Sequence, residues 1–201
     1  MAEYFIKDGG GKNGLVKVSS DQRLETEAVT YSRSVASVEE GDAYNINTGT
    51  INLTSANKSA VLYIKNNEDQ PLILTVLFYI IGNSTGGSGD TTITVLRNPT
   101  AGTIVDNATA AEMPGINRNF GSNKTLSATI YKGAEGYTFT DGTKAIETLL
   151  NQSPGRNVID VGSIDLPKGS SLGIEYTPAA GNTSLDVQFA ASVFVDQRFE
   201  G

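Results

Sequence analysis

From Asp42 onward, apolar and polar residues alternate in short runs separated by turn residues, the period of two that marks β-strands. The runs are Ala43–Ile46, Thr50–Leu53, Ala60–Lys65, Pro71–Ile81, Thr91–Leu96, Leu126–Lys132, Tyr137–Thr140, Val158–Val161, Leu172–Tyr176 and Leu185–Val195. Leu185, Val187, Phe189, Ala191, Val193 and Val195 fall on one face of the last run, and Asp186, Gln188, Ser192 and Asp196 on the other, with Phe194 the exception. That is the pattern of a half-buried antiparallel strand in a two-layer structure. Leu72–Ile81 is apolar on both faces, so it is expected at the centre of a sheet, with the core on one side and a loop or another subunit on the other. The pattern predicts an all-β, antiparallel β-sandwich. Its expected inward-facing residues are Val61, Tyr63, Leu74, Val76, Phe78, Ile93, Val95, Ile130, Ile174, Tyr176, Val187, Phe189 and Val193.

Three stretches depart from the strand pattern. Thr143–Asn151 has Ile146, Leu149 and Leu150 at spacings of three and four before Pro154-Gly155, which predicts a short helix. Asn107–Met113, rich in Ala, predicts another helical turn, and Arg23–Ser37 reads as one extended segment. Residues 1–22 form an N-terminal extended arm, and residues 23–201 form the sandwich domain. In the arm, Gly9-Gly10-Gly11-Lys12-Asn13-Gly14 separates two apolar groups, Tyr4-Phe5-Ile6 and Leu15-Val16. These five side chains have no core of their own to join, so they are the expected anchors onto a partner.

Composition removes whole classes of chemistry. The 201 residues contain no Cys and no His, which excludes disulfides, thiolate or imidazole metal ligands, and Ser-His-Asp catalysis. The net charge of −7 repels phosphate backbones, so no nucleic-acid partner is expected. The longest apolar run, Leu72–Ile81, is far shorter than the roughly 20 residues of a membrane-spanning helix, so no membrane partner is expected. Met1–Val18 carries no apolar stretch followed by a small-residue cleavage site, so synthesis in a cytoplasm is expected. The triplets beginning at Asn52, Asn83, Asn107 and Asn182 match glycosylation sequons, as chance produces in a chain rich in Asn and Thr.

The motifs that resemble catalytic or binding sequences are incomplete. Gly86-Gly87-Ser88-Gly89-Asp90 has the flavour of a calcium-binding glycine/aspartate repeat but stands once and reads as a hairpin tip. Gly11-Lys12 is followed by Asn13 where a phosphate loop needs Ser or Thr. Ser55-Ala56-Asn57-Lys58 has the spacing of a serine nucleophile and its lysine, with no supporting elements downstream. Glu39, Glu40, Glu147, Asp160, Asp165, Glu175 and Asp186 are acid–base candidates by type alone. No catalytic residue, no metal site and no cofactor is therefore expected.

Several segments are similar to virion structural proteins of tailed bacteriophages. They are Arg23-Leu24-Glu25-Thr26-Glu27-Ala28-Val29, then Glu40-Gly41-Asp42-Ala43-Tyr44, then Asn119-Phe120-Gly121-Ser122-Asn123-Lys124-Thr125-Leu126, and Ala128-Thr129-Ile130-Tyr131-Lys132-Gly133. Ile164–Tyr176, with its Leu166-x-x-Gly169-x-x-Leu172 spacing, resembles the late hairpin of viral jelly rolls. The likeness spans residues 23 to 196. It implies a jelly-roll type of sandwich and a non-enzymatic virion subunit, first of all a head decoration (auxiliary capsid) protein on the capsid surface. Head-fibre, neck and tail subunits are the alternatives within that class. A carbohydrate-binding β-sandwich is the alternative outside it, with Tyr137 and Phe139 as its aromatic platform. The expected partners are further copies of the chain, as a homotrimer, and the major capsid protein or another virion protein. The number three comes from the resemblance.

Overall fold

The computed structural model describes residues 5–7, 13–15, 32–106, 110–159 and 163–197. The chain divides into two compact units, Met1–Ser32 and Arg33–Gly201. In the first, β1 (Phe5–Lys7) and β2 (Asn13–Leu15) pair antiparallel, with Phe5 opposite Leu15 and Ile6 opposite Gly14.

The second unit opens with a helix, α1 (Arg33–Glu40), where an extended segment was expected over residues up to Ser37. Val35 and Val38, three residues apart, supply its apolar side. Gly41, at φ +79°, ends it: the Asp42 amide donates to the Ser37 carbonyl and the Gly41 amide to Val38. Val38 packs on a small apolar group of Ala43, Ile73 and Phe194.

The strands follow in order as β3 (Ala43–Asn47), β4 (Ile51–Leu53), β5 (Ser59–Asn66), β6 (Leu72–Gly86), β7 (Asp90–Arg97), β8 (Ala111–Glu112), β9 (Ile116–Asn117), β10 (Ala128–Lys132), β11 (Thr143–Asn151), β12 (Gly155–Ile159), β13 (Ile164–Leu166), β14 (Ser171–Thr177) and β15 (Asn182–Val195). They form two antiparallel sheets packed as a sandwich. One sheet runs β11-β7-β14-β5-β10-β8; the other runs β12-β6-β15-β3-β9, with β13 also on β6 and β4 on β15. Two of these elements correct the helical expectations. Thr143–Asn151 is an edge strand, and Ala111–Glu112, within the second expected helix, is a two-residue strand on β10. Residues 107–109 lie outside the described residues.

The pairing of the long strands is nested. Of β3, β5, β6, β7, β11, β12, β14 and β15, the first pairs the last, the second the seventh, the third the sixth and the fourth the fifth. That is one long hairpin rolled over on itself, the topology of a jelly roll.

Two bulges set which residues reach the core. In β6, Val76 lies opposite Ser192 and Leu74 opposite Val193, so Thr75 is an extra residue, and its hydroxyl donates to the Ser192 carbonyl at 3.2 Å. Alternation therefore changes phase. Leu72 and Leu74 face the core before the bulge, and Leu77, Tyr79 and Ile81 after it. Val76 and Phe78, expected inward, are half-buried on the outer face. In β5 the extra residue is Val61, which joins Leu62 and Ile64 in the core. Tyr63 is buried but faces outward, stacked on Tyr131 under a lid that includes Ile104 and Phe139. The remaining expected core residues all lie in the main core.

Candidate interaction surfaces

The acidic residues with catalytic potential are dispersed and engaged separately. Lys58 holds the buried carboxylate of Glu175 at 3.0 Å, and Lys144 holds Glu147 at 2.6 Å. Asp186 accepts a bond from Asn52 at 2.9 Å. Glu39 and Glu40 close α1, Asp165 lies on β13, and Asp160 lies outside the described residues. Among the described residues no three acidic side chains gather as metal ligands would. Ser55 and Lys58 have separate partners, the Ser55 hydroxyl donating to Glu135 at 2.6 Å and Lys58 to Glu175.

Two of the carboxylates with lowered pKa values, Glu135 and Asp141, lock loops. Hydroxyl bonds from Ser55 and Thr54 hold Glu135 below the usual carboxylate range. The Thr100 hydroxyl, with the amides of Thr100 and Ala101, does the same for Asp141. Each tethers one connection to another across roughly eighty or forty residues of chain. The Gly86–Asp90 tip is held as well. The Gly87 amide donates to Gly181, the Ser88 amide to Ala180, and the Gln152 amide to Gly89.

Two exposed apolar features stand out on the described surface. Phe120 is 96 % exposed, the extreme case among the large apolar side chains. Its display is built: the Asn119 carboxamide accepts from the Gly121 amide at 3.0 Å and donates to the Glu39 carbonyl at 3.0 Å. Asn117 in turn donates to the Gly41 carbonyl at 2.7 Å. These bonds fix the turn from which the Phe120 ring projects into water. The resemblance included this segment, but alternation offered no reason to single out a residue in a turn.

A second surface lies on the flank where β11 and β12 end their sheets. Leu149 and Val158 are 65 % and 64 % exposed there. Between the sheets on this flank opens a cleft of about 310 Å³ lined by Val95, Ile146, Ile164, Leu166 and Leu172 among others.

Of the expected arm anchors, Phe5, Ile6 and Leu15 lie on β1 and β2, and their strands are brought into register; Tyr4 and Val16 lie outside the described residues. The aromatic platform expected of a sugar-binding module is not formed. Phe139 is buried against Gly173, and Tyr137 alone is partly exposed.

Compared with known proteins, the chain matches no family model, and no curated protein gives a significant sequence match.

Proposed function

We propose that this protein is a non-enzymatic structural subunit of a bacteriophage virion, a head decoration protein that assembles as a homotrimer and docks on the capsid surface. The observation that carries the reading is the nested strand pairing, β3 with β15 through β7 with β11, in a chain whose segments resemble phage virion proteins. A jelly roll hosts many functions. The surface supports the reading: Glu135 and Asp141 tie loops together, while an exposed Phe120 and an exposed strand flank offer contact area.

In this reading, residues 1–22 attach the subunit, with Tyr4, Phe5, Ile6, Leu15 and Val16 as anchors. Lys7, Lys12 and Lys17 make the arm locally basic on an acidic protein, which draws it to an acidic capsid surface. The test is binding of the full chain, and of a chain lacking residues 2–20, to particles stripped of decoration. The full chain should bind to saturation and the shortened chain should not. Saturation by the shortened chain would place attachment on the sandwich, with Phe120 first to be changed. Failure of the full chain to bind would reject the decoration role.

A further inference from the structure

β11 and β12 each end a sheet on the same side of the molecule, and among the described residues neither has a strand on its outer edge. The flank is unfinished in three respects. On its outer edge the nine-residue β11 has no strand to pair with among the described residues, and no Pro to block pairing. Ile146 and Leu150, on the core side of β11, are only partly buried, whereas their counterparts on β7 and β14, Val95, Ile93 and Ile174, are almost fully enclosed. Leu149 and Val158 stand in solvent.

Their register fixes where they stand. Leu149 lies opposite Thr92, between core-facing Thr91 and Ile93, so it is on the outer face of the six-stranded sheet. Val158 lies opposite outward-facing Phe78, on the outer face of the other sheet, next to Arg156, whose guanidinium sits 4.4 Å from the Phe78 ring centre. We infer that this flank is the surface through which copies of the chain meet, with Leu149 of one copy packed on Val158 of the next.

Charge argues for a second copy as the occupant. The chain carries −7, so two copies repel over most of their surface. Residues 143–159 carry Lys144, Arg156 and Glu147, a net 2 − 1 = +1. With Asp165 of β13 counted as well, the flank is neutral, so two acidic copies are not driven apart there, and Glu147 on β11 is complementary to Arg156 on β12. An unpaired strand edge is also complementary to another unpaired edge. The number of copies rests on the trimer proposed above. Around a three-fold axis, β11 of each subunit faces β12 of its neighbour, and the wedge between them is bounded by the outer faces that carry Leu149 and Val158. The contact is heterologous and closes.

The test uses the full chain, which has no cysteine of its own. Leu149→Cys and Val158→Cys chains are co-expressed and oxidised with diamide, then separated without reductant. The expected result is a covalent dimer containing one copy of each variant, with no dimer from either variant alone. Leu149→Glu, at a position exposed in the single subunit, should keep the far-ultraviolet circular dichroism of the folded chain and sediment as a monomer. A Leu149→Cys chain that cross-links to itself, or a mixture that gives no cross-link while the unaltered chain sediments as a trimer, overturns this surface and leaves the trimer standing. An unaltered chain that sediments as a monomer at high micromolar concentration overturns both.

Discussion

Phe189 sits where its strand places it, fully enclosed, with its ring 5.9 Å from that of Tyr79 and 6.0 Å from that of Tyr176. Truncation to Ala removes the centre of this aromatic group and leaves a cavity that two sheets in register cannot close. The expected cost of Phe189→Ala is about 3–5 kcal/mol, read from denaturant unfolding. A loss under about 1 kcal/mol would mean that the core is organised elsewhere. Burial also pushes the Tyr176 phenol up to about 12, an effect larger than the opposing influence of the Thr91 hydroxyl. The unfolded chain releases this proton near pH 10 and the folded chain near 12, so folding stability is whole below pH 10 and falls as pH rises between the two. The expected slope from Tyr176 is about 1.4 kcal/mol per pH unit in that window. Unfolding measured from about pH 9 to 12 should show it, and Tyr176→Phe should flatten it. An unchanged slope in Tyr176→Phe would assign the alkaline loss to the other raised phenols, Tyr44, Tyr63 and Tyr79.

At the scale of the element, alternation located most of the long strands and one facing well; it failed at Tyr137–Thr140, which is a loop, at the short strands β8, β9 and β13, and where a residue is inserted. The last strand keeps Leu185, Val187, Phe189, Ala191, Val193 and Val195 in the core, as its pattern requires. Leu72–Ile81 is apolar on both faces, so its sequence contains no mark of the extra Thr75 that reverses the phase; only the pairing with β15 shows it. Thr143–Asn151 misleads for a related reason. The register passes from Lys144 opposite Leu96 to Ile146 opposite Val95, so Ala145 is extra, and Leu149 points to solvent beside core-side Leu150. A bulged edge strand with one exposed leucine reads as helical spacing. The interaction surfaces were illegible for the same cause: Phe120 and the β11–β12 flank depend on which elements lie at edges and turns. Close approach between elements gives the next expected outcome. A Cβ on Gly133 would stand 1.9 Å from the Ala60 carbonyl oxygen, where β5 and the end of β10 meet. Gly133→Ala should cost about 1–3 kcal/mol. A neutral result would show that β10 can move away from β5 freely.

For the whole molecule, the nested pairing makes the sandwich a self-contained body. The unit from Arg33 to Gly201 holds all of the core residues named above. Deleting residues 2–20 should therefore leave the melting temperature nearly unchanged, measured by circular dichroism. Unfolding of the shortened chain would make the arm a strand of the sandwich and move the domain boundary. Assembly belongs to this scale as well, since in the proposed role many identical subunits act by their position on a particle. The proposed role implies an encoding phage, and the most direct measurement is quantitative mass spectrometry of that phage's purified particles. The account predicts the chain in intact particles, at a fixed, high copy number relative to the major capsid protein and unaffected by removal of the tails. Its absence from purified particles, or its loss with the tails, would contradict the proposal that it decorates the head.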